Sequence, residues 1–167
     1  MKILLAVDDS KYSEAATRSV LAQTNPSDTH VRVVNVVDAL PNRLSETRAY
    51  YPGIEHENDA LREPAEALVG KIAALLRSRG FYATGTIEWG SPKARIIEVA
   101  SKWHADLIVI GSHGRTGIER FLMGSLAEAV ARNARCSVEI IRIPNSDAYE
   151  ASAAERSGRM HEGQSRV

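Results

Sequence analysis

Five short apolar runs are set among longer amphipathic stretches, and this alternation restricts the chain more than any other feature. The runs are Lys2–Val7, Val31–Val37, Tyr82–Trp89, Leu107–Ile110 and Val138–Ile143. Each has the length of a strand. Between them apolar residues recur at helical spacing: within Ser13–Gln23, along Leu61, Ala65, Leu68, Ile72, Leu75 and Leu76, along Ile96, Val99, Ala100 and Trp103, and over Ser125–Asn133. Local signals punctuate the helices. Asp9 or Ser10 can cap the first, Gly80 stops the second, and Ser91-Pro92 supplies a cap and a first-turn proline for the third. The order βαβαβαβαβ predicts an α/β fold, a single-domain open five-stranded parallel sheet with helices on both faces and right-handed crossovers.

Two segments fall outside the alternation. Asp38–Asn58 is polar and carries Pro41, Pro52 and Gly53, which reads as a mobile loop, a lid over one end of the sheet. From Pro144 onward the chain turns small, polar and mixed in charge, so the folded domain is expected over residues 1–143 and a disordered tail over 144–167.

At 167 residues the chain can bury a full core. Its 21 basic and 21 acidic residues balance to zero, so no global field draws it to nucleic acid or to an anionic membrane, and neither is expected as a partner. Locally, Arg115, Arg120, Arg132 and Arg135 cluster in sequence. The single cysteine, Cys136, excludes an intrachain disulfide and reads as a small buried residue. The first apolar run meets Asp8-Asp9 too soon for a signal peptide, and no run reaches membrane-spanning length; a cytoplasmic protein is expected.

The chemistry concentrates after the fourth run. From Ala105 the text is ADLIVIGSHGRTGIERFLMGSLAEAVAR: a buried strand, a loop with Gly111, Gly114 and Gly117, then Gly124-Ser125 at a helix start. Open α/β sheets build anion sites in this way, with backbone N–H groups converging at a helix N-terminus. Gly111 is expected to allow a sharp turn. Gly114 and Gly117 are expected to admit positive φ and leave amides unobstructed. Ser125 offers a hydroxyl, and Arg115 and His113 offer donors. Ser125-Leu126-Ala127-Glu128 also has the form of a capping box, which would merely satisfy the helix end.

The spacing Gly111-x2-Gly114-x9-Gly124-Ser125 resembles the nucleotide-binding pattern of the universal stress protein family. ILLAVDDSKYSEAA is similar to that family's first strand and helix, WGSPKARIIEVA to its third strand and helix, and ADLIVIGSHGRTGIERFLMGSLAEAVARNARCSV to its last β–α–β unit. The resemblance covers residues 1 to about 143. It implies the strand order 3-2-1-4-5, with a nucleotide at the switch between strands 1 and 4. It also implies Asp8 near the ribose, backbone groups of Val36 and Val37 against adenine, and Gly111, Gly114, Arg115, Gly124 and Ser125 around the phosphates. The implied ligand is ATP, with ADP, AMP and cyclic AMP as alternatives, and a magnesium or manganese ion held mostly by phosphate oxygens. Ser137 departs from the family wording, where proline is frequent after the position of Cys136.

Walker A spacing and Gly-x-Gly-x-x-Gly are both absent, as is the nucleophile elbow Gly-x-Ser-x-Gly. No zinc-type spacing of His, Cys and Asp stands out. The expected function is therefore an adenine-nucleotide-binding regulatory protein of the stress response, with slow or incidental hydrolysis and an unidentified protein partner. The alternative is a small nucleotide hydrolase or nucleotidyl transferase working in the same pocket, with Asp8, Asp9, His113 and Ser125 as its polar set. An apolar edge strand over Val138–Ile143, together with the resemblance, implies a homodimer paired through strand 5.

Overall fold

A computed structural model of the protein describes residues 1–38, 54–114 and 123–143. The elements run β1 (Lys2–Ala6), α1 (Lys11–Gln23), a 3₁₀ turn (Pro26–Asp28), β2 (His30–Val37), α2 (Ile54–Ser78), β3 (Tyr82–Trp89), α3 (Pro92–Trp103), β4 (Leu107–Gly111), α4 (Ser125–Asn133) and β5 (Ser137–Ile141). All strand pairs are parallel, in the order β3-β2-β1-β4-β5.

The central strands β1 and β4 are apolar almost throughout because both their faces are covered. Ile3, Leu5, Val31, Val33 and Val109 point to one face and meet Ala16 and Val20 of α1 with Val69, Ile72, Ala73 and Leu76 of α2. Leu4, Ala6, Val34, Ile108 and Ile110 point to the other and meet Ile96, Val99 and Ala100 of α3 with Ala127 and Val130 of α4. A strand of period two buried on both sides must be apolar at every position, which is why β1 and β4 show no polar alternation, whereas the edge strand β3 carries Thr84, Thr86 and Glu88.

Helix ends carry the expected chemistry with three corrections. Ser10 is the cap of α1, its hydroxyl accepting from the Ser13 N–H, so the helix starts at Lys11, before Ser13. Gly80, at φ +89°, closes α2 in a Schellman arrangement: the Gly80 N–H donates to the Arg77 carbonyl and the Phe81 N–H to that of Leu76. Ser91 stands at the cap position of α3 but makes no side-chain bond there, leaving Pro92 to start the helix by its fixed φ. The polar stretch expected as loop to Asn58 is helical from Ile54, and α2 carries Pro64 inside it. The rest of that stretch, 39–53, and the tail from 144 lie outside the described residues. Strand β5 starts and ends earlier than its apolar run, at Ser137 and Ile141.

Candidate functional site

The C-terminal ends of β1 and β4 lie side by side in the middle of the sheet, where the strand order reverses. Chains leaving adjacent strands toward opposite faces open a crevice there. Val7 and Asp8 leave β1 on one side of it, and Ser112, His113 and Gly114 leave β4 on the other. A cleft with about 100 Å³ of interior space results. Its walls are apolar from Val36, Pro92, Ile96, Ile110 and Leu126, and polar from Asp8, Ser13 and His113.

Asp8 is fixed by α1. Its Oδ1 accepts from the Ser10 N–H at 3.1 Å, from the Ser10 hydroxyl, and from the Ser13 hydroxyl at 2.6 Å. The Ser13 oxygen accepts in turn from the Asp8 N–H at 2.8 Å. The carboxylate thus braces the first turn of α1 and turns its Oδ2 toward Gly114, where a Cβ would come within 2.9 Å of it. Beside it the Tyr12 and His113 rings sit 5.1 Å apart, and the Ser112 hydroxyl lies 3.1 Å from His113 Nδ1.

Ser112 ties the two halves of the loop. Its N–H donates to the Ile141 carbonyl of β5 and its carbonyl accepts from the Gly124 N–H, both at 2.8 Å. This holds the start of α4 against the end of β4. Gly124 is the cap residue of α4, and no side chain caps it. The capping-box expectation is therefore corrected: Ser125 is the first helical residue, and Glu128 turns along the helix to Arg132, 2.9 Å away. With the Gly124 N–H spent on Ser112, the N–H groups of Ser125, Leu126 and Ala127 remain at the helix end without an intrahelical acceptor.

The glycines act differently from expectation. None of Gly111, Gly114 and Gly124 has φ in the left-handed region. Gly111 is the last residue of β4, not a turn. A Cβ there would lie 2.7 Å from Tyr12 Cβ and 2.9 Å from the Tyr12 backbone carbon. At Gly124 it would lie 2.7 Å from the Ser112 carbonyl oxygen. Two of the three glycines thus make room for the protein itself. Gly111 also lines the cleft, and Gly114 stands against a cleft side chain, the Asp8 carboxylate, rather than against packed backbone.

Of the other expected site residues, Val36 lines the cleft. Val37 is buried on the opposite face of β2, and its carbonyl accepts from the Gly90 N–H. Arg115 and Gly117 lie outside the described residues. Ser13, Pro92, Ile96 and Leu126 were not anticipated. Ser13 was legible only as a polar residue five positions after Asp8, and the other three only as helix-face apolar residues.

Larger hollows exist elsewhere. One of about 750 Å³ lies beside the C-terminal half of α3, lined by Glu98, Lys102, Asp106, Arg135 and Cys136. Its charges are of both signs, and Glu98 is held below the ordinary carboxylate range by Lys102 and then Arg95, so size does not mark the chemistry. No group of three or more His, Cys, Asp or Glu side chains suited to a metal ion occurs among the described residues. No described helix is long and apolar enough to cross a membrane.

Comparison with known proteins shows the family and the fold. The sequence model of the universal stress protein family matches residues 1–142, and the chain belongs to that family. A universal stress protein of Methanocaldococcus jannaschii is 30% identical over 152 residues, spanning 87% of this chain and 84% of that one. The solved structure of the hypothetical protein MJ0577 is 27% identical and superimposes with a TM-score of 0.76 over 87% of this chain and 97% of that one. A family member of Arabidopsis thaliana, solved with AMP bound, shares the fold at 18% identity and a TM-score of 0.58, over 88% and 94% of the two chains. Other universal stress proteins of this fold were solved with cAMP and with dAMP.

Proposed function

We propose that this universal stress protein family member binds an adenine nucleotide, with ATP as the preferred form, in the crevice between β1 and β4, and acts by presenting its loaded or empty surface to a regulatory partner. The observation that carries the reading is the uncapped N-terminus of α4, held by Ser112 within the same crevice as Asp8 and Gly114. Amides without intrahelical acceptors and a positive helix end favour a phosphate chain. Fold neighbours solved with AMP, cAMP and dAMP support the adenine class.

In this reading the apolar walls of Val36, Ile96 and Ile110 take the base, with backbone groups of Val36 and Val37 at its edge. Asp8 accepts from a ribose hydroxyl. Gly114, Ser125 and Arg115 flank the phosphates, and Gly111 and Gly124 let the ends of β4 and α4 close in around them. The interior space is below the ~300 Å³ of ordinary ligand pockets, so the phosphates lie outside it, over the end of α4. A magnesium or manganese ion arrives with the triphosphate and is held by its oxygens. Hydrolysis is slow or incidental, since the Asp8 carboxylate is engaged with Ser10 and Ser13. The molecule works in the cytoplasm as a homodimer paired through β5.

Mass spectrometry of nucleotide released from protein purified without added ligand tests occupancy and identity together. An adenine nucleotide near stoichiometric amount is expected. Calorimetry on Gly114→Val is expected to show ATP affinity reduced by a hundredfold or more, on the order of 3 kcal/mol, with the circular dichroism spectrum unchanged. Wild-type affinity in that variant would remove Gly114 from the site.

A further inference from the structure

At the opposite end of the sheet, where the strands begin, aromatic rings and cations converge on a second groove. His30 opens β2 and Tyr82 opens β3, and the two are register partners. Their rings stack with centroids 4.9 Å apart and an interplanar angle of 14°. Tyr82 is 63% exposed, an unusual position for a large aromatic residue in a strand. Trp103, the last residue of α3, lies under the Arg32 guanidinium at 4.6 Å and near Lys2 Nζ at 5.7 Å. Arg77 reaches in from α2, donating to the Ala83 carbonyl at 3.0 Å.

The groove has about 370 Å³ of interior space and is lined by His30, Arg32, Arg77, Phe81, Tyr82 and Trp103 among others, with no carboxylate. That volume lies in the range of small-molecule sites, roughly 300–1,000 Å³. The charge balance is local as well. Arg18, Arg62, Arg95, Lys102 and Arg132 each pair with a glutamate one turn away on their own helices. Arg32 and Arg77, which line the groove, make no ion pair with a carboxylate among the described residues, while Lys2, at its rim beside Trp103, donates its backbone N–H to Asp106 at 2.7 Å. In a chain of zero net charge, two such cations in an aromatic groove favour a ligand that is both planar and anionic.

We infer that this groove is a second ligand site, separate from the crevice between β1 and β4, that takes a phosphorylated aromatic of mononucleotide size. The ring stacks on the exposed face of Tyr82, and the phosphate takes hydrogen bonds from Arg32 and Arg77. The inference stands on the groove alone and does not depend on the nucleotide proposed for the crevice.

Trp103 is a built-in reporter. In the Gly114→Val background, which closes the crevice, tryptophan fluorescence is titrated with UMP, uridine and ribose 5-phosphate. UMP tests the groove without adenine recognition, and the other two separate ring from phosphate. A saturable change with UMP below about 1 mM is expected, with uridine and ribose 5-phosphate each weaker by roughly tenfold or more. Trp103→Phe should abolish the signal. Tyr82→Ala, at an exposed position that the fold does not need, and Arg32→Gln should each weaken UMP by roughly tenfold. No saturable change up to about 10 mM, or equal responses in wild type, Tyr82→Ala and Arg32→Gln, would overturn the site. A change that disappears with Gly114→Val but is present in the wild type would return the ligand to the crevice and equally overturn it.

Discussion

Gly111 and Gly114 share a motif and are separated by what stands opposite each. At Gly111 the obstacle is Tyr12 of α1, its Cβ and its backbone both within 3 Å of an added methyl group. Backbone of a packed helix does not rotate away, so Gly111→Ala should push α1 off β4. A loss of roughly 1–3 kcal/mol in urea denaturation is expected, the usual range for overpacking. An unchanged midpoint would show that α1 yields freely. Gly114 faces one carboxylate oxygen instead, so in the proposed reading its substitution is expected to act on ligand rather than on packing. Cys136 separates chemistry from packing in the same way. Cys136 is only half-buried against the α3–α4 side of the core, not fully buried as expected; this partial burial, and then the Asp106 carboxylate, push its thiol above the ordinary range. The thiolate is therefore scarcer than in free cysteine at a given pH. Alkylation by iodoacetamide at pH 8 should be slower than for free cysteine and should rise with pH beyond that point. A rate at or above that of free cysteine would contradict the assignment of Cys136 as a packing residue.

The elements were legible where one local rule decided them. Gly80 stops α2 because only a left-handed residue completes the Schellman closure onto Leu76, and strands buried on two faces had to read as Val-Ile-Leu runs. What stayed hidden depends on partners distant in sequence. The Pro26–Asp28 turn is a short 3₁₀ piece with Asn25 as its cap, too brief to leave a periodic signal. The first turns of α2 are polar, and proline follows at Pro64, so no stripe announces a helix at Ile54. Likewise the glycine pattern was readable, but which glycines pack against the protein was not, since Tyr12 and Ser112 lie outside the motif's logic. Gly85 makes the same point within β3. It looks like a weak spot in a strand, yet a Cβ there would come within 2.2 Å of Val69 Cγ1 on α2. The close approach of α2 to β3 depends on that missing methyl. Gly85→Ala should cost roughly 1–3 kcal/mol despite raising β-propensity, measured by thermal or urea unfolding. A stabilised variant would mean that strand propensity outweighs the contact.

Across the whole molecule, the sheet ends in two unlike edges. β3 begins with exposed Tyr82 and carries Thr84, Thr86 and Glu88, whereas β5 is a five-residue strand with Val138, Ile140 and Ile141 only half-buried. Apolar edges of this kind favour pairing with another copy. A two-fold axis lets β5 meet itself, each strand offering the same groups to its partner. β5 is also joined to the crevice, because Ile141 accepts from the Ser112 N–H and Ser112 accepts from the Gly124 N–H at the head of α4. Anything that steadies β5 steadies the amides proposed to hold phosphate, and the reverse follows from linkage. Sedimentation at micromolar concentration should therefore show a dimer whose dissociation constant falls when ATP is saturating, by roughly fivefold or more for a coupling of about 1 kcal/mol. Val138→Lys, which sets a charge on the edge, should give a folded monomer with weakened ATP affinity. A wild-type monomer would discard the β5 interface. A dimer indifferent to nucleotide would leave β5 as an interface and discard its coupling through Ser112.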